Sequence, residues 1–361
     1  MNKVIYLDKR RRHPLPIATA GAGPAGSTSD PEASGLPRAV QISIVMVSFH
    51  TGPALDEAID AVLAQDISLE LIVVDNGNPE EVTAALKSRA LTNPKIEVLT
   101  GHGNVGYAAA CNLGARHASG EYLLLLNPDC VLQGGALTDM IRLTEGSPRP
   151  WVAGCRIVNP DGTDQRGSRR ELPTPWLTLV EVLRLDRMAP NHPYFRRLNQ
   201  HNQPVPEAVS TVPAVSGACM LMPLDDYRLI GGMDERYYLH VEDLDLCFGI
   251  GKIGGTVLFV PQVSLVHYKS TSNASATRIE WYKARGFTQY FRKNFTGLYP
   301  NLFLTAVNFL VWCYFVMRLV SLARSAAIDF TTTMIRSSGA FHAADDADQS
   351  GSKDGRKRRA A

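Results

Sequence analysis

Only six cysteines occur in 361 residues, at positions 111, 130, 155, 219, 247 and 313, with no CxxC pair and no histidine at zinc-finger spacing. That excludes a small structural zinc module and leaves them as reduced packing residues. Charge of one sign is also lacking: the formal net charge is +2, so no overall field points to nucleic acid as a partner. Basic clusters do stand near both ends, Lys9 to Arg12 and Arg356 to Arg359, and read as solvated tails or as contacts to anionic lipid. No apolar stretch follows the first cluster, so a secretory signal is not expected and a cytoplasmic location is. What the chain has in quantity is apolar residues, 45% of the total, enough for one large or two moderate domains with a sizeable core.

Residues 13–38 are rich in Pro, Gly, Ala and Ser without periodicity, so residues 1–38 are expected to form a disordered leader. Gly21 to Gly26, GAGPAG, matches the letters GxGxxG. No strand precedes it and Pro31 blocks a following helix, so the dinucleotide fingerprint lacks its context. From residue 42 the pattern is regular. Ile42 to Val47 is a continuous apolar run suited to a strand covered on both faces, and Leu55, Ile59, Val62 and Leu63 recur at helical spacing. Leu69 to Val74 repeats the strand signal, and Asn78 with Pro79 and Glu81 predicts a capped helix. Lys95 to Leu99 reads as a third strand, Tyr107 to Ala118 as a helix, and Glu121 to Leu126 as a fourth strand. Strands alternating with helices imply a βαβ sheet, mostly parallel.

Beyond residue 150 the alternation weakens. Trp151 to Val158 with Pro160-Asp161-Gly162 predicts a hairpin, Leu177 to Leu185 a helix, and Val215 to Met222 and Thr256 to Val260 strands of a mixed extension sharing the first sheet's cleft. Leu302 to Met317 is a run of sixteen mostly apolar residues, broken by Arg318. That is short for a span of about 20 residues. Trp312, Tyr314 and the basic tail fit a helix in the cytoplasmic leaflet, with a spanning helix or an oligomer contact as the alternatives.

In an open α/β sheet, ligands bind beyond the carboxyl ends of the strands, where loops converge near helix N-termini. Those ends read Ser48-Phe49-His50, Asp75-Asn76-Gly77, Gly103-Asn104-Val105-Gly106 and Asn127-Pro128-Asp129. Asp75 suits an Asx turn, or an acceptor for a pyrimidine N–H. Asn104 and Gly106 suit a helix cap, or a backbone approach to a nucleotide with Asn112 as a further amide contact. Between His240 and Asp245, three carboxylates in four residues suit a helix N-terminus, or a desolvated acid fit to take a proton from a hydroxyl. His267 alone reads as a packing residue; as a metal ligand it would complete what a lone Asp129 cannot do.

VSF at 47–49, VVDNG at 73–77, GNVGYAAACNLG at 103–114, LLLLNPDC at 123–130, SGACMLM at 216–222, GGMDERYYLHVEDLDLC at 231–247 and VPQVSLVHYKS at 260–270 stand in order. Together they resemble the family 2 glycosyltransferases of GT-A fold, above all the bacterial rhamnosyltransferases of cell-surface polysaccharide assembly, over residues 42–295. The resemblance implies an α/β GT-A type nucleotide-sugar-binding fold with a mostly parallel central sheet over residues 39–295. A membrane-associating helical segment over 296–330 and a disordered basic tail over 331–361 follow. It implies inverting transfer of a sugar, L-rhamnose from dTDP-rhamnose, to a lipid-linked or growing polysaccharide at the inner membrane face, with no nucleic acid partner and a homo-oligomer allowed.

Carried onto this chain, the resemblance makes Asp75 a base contact and lines the donor nucleotide with Ser48, Asn104, Gly106, Asn112 and Asn127. Asp129 and His267 hold Mg²⁺ or Mn²⁺ on the donor diphosphate, and Asp243 is the catalytic base. Gly217, Glu242 and Arg169 stand on the sugar and acceptor side. The chain departs from the pattern in two places. Asn127 replaces the first acid of Asp-x-Asp, so weak metal binding without donor is expected. FGIGKIGG at 248–255 replaces Arg-rich helix formers, so the helix carrying Asp243 is expected to be short or loose, each Gly costing about 0.8–1 kcal/mol against Ala. Arg166, Arg169 and Arg170 fall in a segment the family places near the acceptor. The rival reading is a non-catalytic, membrane-docked nucleotide-binding subunit, which gives no reason to keep Asp129, Asp243 and His267 together. A dinucleotide oxidoreductase would rest on GAGPAG alone.

Overall fold

The computed structural model describes residues 41–325, apart from 189–191, 193, 196–197, 201–202, 270 and 273–274. The expected leader with its GAGPAG, and the basic tail, lie outside the described residues. The chain begins as β1 (Ile42–Ser48), α1 (Ala54–Leu63), β2 (Leu69–Asp75), α2 (Glu80–Thr92), β3 (Ile96–Leu99), α3 (Tyr107–His117) and β4 (Tyr122–Leu126). It continues as β5 (Cys130–Leu132), α4 (Ala136–Thr144), β6 (Trp151–Val158), β7 (Arg169–Arg170), α5 (Pro175–Val182), α6 (Leu185–Met188), β8 (Ser210–Thr211) and β9 (Ala214–Val215). Then follow β10 (Cys219–Pro223), α7 (Leu224–Leu229), α8 (Glu242–Lys252), β11 (Thr256–His267), α9 (Ala276–Phe295) and α10 (Asn301–Ser325).

The main sheet runs in the order β3-β2-β1-β4-β10-β6-β11-β5, with β8 on β11. Strands β3, β2, β1, β4, β6 and β11 point one way; β10, β5 and β8 oppose them. The strand order reverses between β1 and β4, which opens a crevice at their carboxyl ends.

The continuous apolar runs follow from burial on both faces. Successive strand side chains alternate between faces, so Val45, Val47, Ile72, Val74, Leu123 and Leu125 meet Leu244, Tyr290 and Phe291 from α8 and α9. Ile44, Met46, Leu71, Val73, Leu124 and Leu126 meet Leu55 and Ile59 of α1 and Leu137 and Met140 of α4. Gly114 is needed where α3 crosses β1, because a Cβ there would stand 2.5 Å from a Val45 methyl.

Four expectations change. Asn78 does not cap α2; its side chain turns back to the end of β1, donating to the Ser48 carbonyl at 3.2 Å. The segment 215–222 is two strands, broken at Ser216-Gly217-Ala218 because the antiparallel ladder to β4 begins only at Cys219. The Trp151 hairpin closes by a single bridge, Val158 to Asp164, since β6 is taken up by β10 and β11 instead. The strand at 256 extends to His267, passing Pro261 by a register shift between Val260 and Ser264.

The glycine-rich α8 is neither short nor broken early. Its 11 residues run through Gly249 and Gly251 and stop before Gly254. Buried Leu244, Leu246, Cys247 and Ile250 supply packing that outweighs the propensity loss.

Candidate active site

At the carboxyl end of β2, Asp75 is buried and both oxygens of its carboxylate accept hydrogen bonds. Oδ1 accepts from the Asn78 amide N–H at 2.9 Å and from Asn78 Nδ2 at 2.8 Å, and Oδ2 accepts from Thr83 Oγ1 at 2.5 Å and Thr100 Oγ1 at 3.1 Å. Burial alone would raise its pKa, but the hydrogen bonds from Thr83, Asn78 and Thr100 outweigh it and hold the group below the usual carboxylate value. The loop before α3 is locked to it through Asn76, whose Nδ2 donates to Asn104 Oδ1 at 3.2 Å. Asn104 Oδ1 also accepts from the Gly106 N–H at 3.0 Å and from Tyr238 OH at 2.7 Å. Gly106 sits at φ 89°, and a Cβ would lie 2.8 Å from the Tyr238 ring and carbonyl. Gly106→Ala is therefore expected to cost about 1–3 kcal/mol and displace the loop, read as a lower melting temperature with weaker nucleotide binding.

Two residues expected in this pocket are used elsewhere. Ser48 is fully buried and tied to Asn78. Asn112 donates from Nδ2 to the Met233 carbonyl at 2.8 Å and to Glu235 Oε1 at 2.9 Å, while Oδ1 accepts from Tyr227 OH and the Met233 N–H. It pins α3 to the segment before α8, because its position on the helix faces that segment rather than the loop at the helix start.

Asp129 and His267 are far apart in sequence and adjacent in space. The antiparallel register of β5 on β11 sets Cys130 opposite His267, and the Tyr268 N–H donates to the Asp129 carbonyl at 3.1 Å. Asp129 Oδ1 and His267 Nε2 are 3.1 Å apart, both residues buried. Gln165 Nε2 donates to Asn159 Oδ1 and to the His267 carbonyl, so its Oε1 is the acceptor 2.7 Å from His267 Nδ1. That assigns the proton to Nδ1 and aims Nε2 at the carboxylate. A doubly protonated ring would make an ion pair there; a neutral ring sets two lone pairs face to face, which a cation between them relieves. An octahedral ion with bonds of about 2.1 Å separates neighbouring ligands by about 3.0 Å, so the pair fits a divalent ion. Thr271 Oγ1 donates to Asp129 Oδ2 at 3.0 Å. Burial pushes the Asp129 pKa up, but a protonated His267 ring, through its hydrogen bond and charge, together with Thr271 brings it below its usual value. Cys130 is close enough to be a third ligand, yet burial drives its thiol pKa well up, which disfavours the thiolate.

The acids of α8 diverge, each projecting to a different neighbour as the helix turns. Asp245 accepts from Tyr237 OH, Asn294 Nδ2 and Lys293 Nζ, tying α8 to α9. Asp243 accepts at Oδ2 from the Gly217 N–H at 2.9 Å and from a very close Arg170 Nη2, and at Oδ1 from the Leu244 N–H at 2.8 Å. Just before the helix, His240 and Val241 both hold positive φ, 67° and 75°, a strained bend that aims the acids. Burial pushes the His240 pKa down to about 4, so its ring is neutral.

Glu242 is buried, and its Oε2 has no hydrogen-bond partner among the described residues. Burial first, then the charge of Asp243, raise its pKa from 4.5 to about 8, so it holds a proton at neutral pH. The folded carboxyl then binds its proton more tightly than the unfolded one, and the protein loses stability as pH rises through that window. Glu242→Gln is expected to gain about 1–3 kcal/mol over wild type near pH 7.5 and almost nothing near pH 4.5. Urea unfolding at the two pH values checks this; equal gains at both would mean that Glu242 is already ionised.

Arg169 is not at the cleft. Strand alternation in the two-residue β7 turns its guanidinium into the interior, where it donates to the Gln203 and Pro204 carbonyls and lies 5.4 Å over the Phe259 ring. Arg170, its neighbour, turns to Asp243 instead. Tyr107, unmarked in the sequence reading, shares its hydroxyl proton between Asn127 Oδ1 at 3.2 Å and the Gly217 carbonyl at 3.1 Å. Asn127 Nδ2 in turn lies 3.5 Å from His267 Nε2. One polar chain thus links Asp243 through Gly217, Tyr107, Asn127 and His267 to Asp129. Gln165 and Thr271 had no local signal that could have marked them.

The mostly parallel sheet, with its strand-order reversal and carboxylates gathered at the strand ends, is a GT-A type α/β fold. Residues 43–211, a little under half of the chain, match the sequence profile Glycosyl transferase family 2, and the chain is a glycosyltransferase. It is similar to N-acetylglucosaminyl-diphospho-decaprenol L-rhamnosyltransferase of Mycobacterium tuberculosis (strain ATCC 25618 / H37Rv), at 26% identity over 243 residues, 64% of this chain and 77% of that one. It is also similar to Rhamnosyltransferase WbbL of Escherichia coli (strain K12), at 22% identity over 277 residues, 74% of this chain and 96% of that one. Among solved structures, the crystal structure of GalNAc-T7 with UDP, GalNAc and Mn²⁺ shares the fold, with a TM-score of 0.52 and 16% identity over 70% of this chain. This chain spans about half, 48%, of that protein's length.

Proposed function

We propose that the chain is an inverting, divalent-metal-dependent glycosyltransferase that moves L-rhamnose from dTDP-rhamnose to a lipid-linked or growing cell-surface glycan at the inner membrane face. The observation that carries the reading is the single polar chain joining Asp243 to the Asp129 and His267 pair. The names of the two rhamnosyltransferase relatives support the sugar, and that of the mycobacterial one supports a polyprenyl-diphosphate acceptor.

Asp129 and His267 would hold Mg²⁺ or Mn²⁺, and the mixed carboxylate and imidazole donors favour Mn²⁺. The bound ion supplies Lewis-acid stabilisation of the charge that develops on the leaving diphosphate. Gln165 keeps His267 in the tautomer that presents Nε2. Asp75 and Asn104, with Gly106 allowing close backbone approach, would seat the nucleotide. Asp243 takes the proton from the acceptor hydroxyl, and a single displacement inverts the anomeric carbon. Gly217 and Arg170 keep its carboxylate aimed. The Arg170 Nε is buried without a hydrogen-bond partner among the described residues, a donor left for a sugar or phosphate oxygen.

Helix α10 has the length and apolar character of a membrane span, with mean hydropathy 1.8, and only 17% of its apolar window is buried. One side, Leu304, Val307 and Val311, packs on the catalytic domain, while Leu302, Phe309, Val316 and Met317 are exposed. That favours a helix lying along a membrane surface.

A thermal-shift panel of nucleotide sugars with Mn²⁺ or EDTA tests the donor assignment. At about 100 times its Kd a ligand contributes roughly 2.7 kcal/mol, so dTDP-rhamnose with Mn²⁺ is expected to raise the melting temperature by about 5 °C, and EDTA to remove the gain. A larger shift with a UDP- or GDP-sugar would reassign the donor. No shift with any nucleotide would count against the transferase reading.

A further inference from the structure

The outer side of α9 carries a charge pattern that the transfer reaction does not use. Arg278, Arg285 and Arg292 recur every seven residues, and Trp281 and Gln289 share their face at helical spacing. Arg285 stacks over the Trp281 ring at 5.3 Å. Where α9 meets α10, a cavity of about 550 Å³ is lined by Arg236, Arg285, Gln289, Arg292, Lys293 and Trp312. The acids beside it are Asp234, which pairs with Arg236 and Lys293, and Asp245, which pairs with Lys293. Arg285 and Arg292 are exposed and have no carboxylate partner among the described residues, and Gln289 Nε2 is buried without an acceptor. The cavity therefore holds surplus positive charge and an unused N–H donor. It is rimmed by Trp312, on the same helix whose outer residues Leu302, Phe309, Val316, Met317 and Val320 are apolar and exposed.

We propose that this cavity binds the phosphate of an anionic phospholipid head group while the outer face of α10 enters the acyl region beside it. The proposal rests on the reading of α10 as a membrane-surface helix and adds the lipid class. Two observations select a membrane phosphate over the reacting diphosphates, the continuity of basic and apolar surface and the position across α8, while the arginines account for phosphate as the group bound. Basic and apolar surfaces are continuous, as an anionic bilayer requires. Arginine forks match phosphate oxygens. Asp243 turns to Gly217 and Arg170, whereas Asp245 turns to Lys293 and Asn294, so the cavity lies across α8 from the reacting centre.

Flotation of the full chain with vesicles separates the possibilities. With phosphatidylcholine containing about a third phosphatidylglycerol, wild type is expected to bind at least about 30-fold tighter than with phosphatidylcholine alone, and the difference should shrink in high salt. Each cation near an anionic surface contributes roughly fivefold, so Arg285→Gln with Arg292→Gln should weaken anionic binding on the order of 30-fold and leave the residual neutral-vesicle binding alone. Phe309→Ser with Met317→Ser should weaken both. If the arginine double variant binds anionic vesicles like wild type, the cavity assignment fails while the membrane reading stands. If wild type binds neither vesicle, the membrane reading fails as well. Quenching of tryptophan fluorescence by millimolar inorganic phosphate without lipid, lost in the double variant, would instead mark a soluble-phosphate site and overturn the proposal. Both arginines are exposed, and an unchanged melting temperature confirms that the variants are folded.

Discussion

Replacing Asp243 with asparagine is expected to lower turnover about 10³-fold and to change donor nucleotide affinity by less than about threefold. The first figure follows from removal of a positioned general base, which typically contributes 10² to 10⁴-fold. The second follows from geometry, since Asp243 is held by Arg170 and Gly217, on the far end of the polar chain from Asp129. An asparagine oxygen can still accept from the Gly217 N–H, so the loop conformation should survive. It leaves the largely buried Arg170 without its carboxylate, which costs about 1–3 kcal/mol of stability. Single-turnover rates beside a calorimetric titration with dTDP separate these effects. Near-wild-type turnover would remove Asp243 from the base role. Arg170→Gln provides a control for positioning: it should lower kcat by about tenfold, because the carboxylate keeps Gly217 but loses the guanidinium that fixes its direction.

The second large effect concerns the pair at the other end. His267→Ala and Asp129→Ala are each expected to weaken Mn²⁺-dependent nucleotide binding by about 100-fold or more, with the small metal-free affinity unchanged. The pairing of β5 with β11 fixes both ligands, and Cys130, the third group beside them, is a poor replacement because burial disfavours its thiolate. Gln165→Leu should fall between, because loss of a partner that orients a ligand typically costs 10 to 100-fold in metal affinity. Calorimetry of dTDP binding with Mn²⁺ and with EDTA reads all three. An unchanged metal dependence in His267→Ala would take the imidazole out of the metal site, and the pair would then stand as a buried ion pair.

Much of the first half was legible because its signals are local. The doubly buried strands β1, β2 and β4 need apolar residues at every position, and the helices between them need 3.6-residue periodicity; both patterns survive in a linear string. The strand ends were legible for the same reason, as polar or glycine-rich breaks after apolar runs. Glycine content misjudged α8, since helix propensity is weaker than the packing of Leu244, Leu246, Cys247 and Ile250 into the core. The choice between Arg169 and Arg170 was not legible: neighbouring residues of a strand face opposite ways, and a two-residue strand has no periodicity to say which way is inward. Asn112 and Ser48 lie in the matching motifs, but their hydrogen-bond partners are Met233 and Asn78, which only folding brings near.

By itself the sequence determined the α/β class, the strands and helices of the nucleotide half, and the carboxylates and imidazole available for chemistry, because each depends on residue type and short-range spacing. Tertiary structure alone decided which of them meet. The pairing of β5 with β11 set His267 against Asp129, the break between β9 and β10 gave Asp243 the Gly217 N–H, and Tyr107 joined the two groups into one site. These contacts join residues from 20 positions apart, Tyr107 and Asn127, to 110, Tyr107 and Gly217, and beyond, and the strand register that brings them together is fixed by the packing of whole sheet faces.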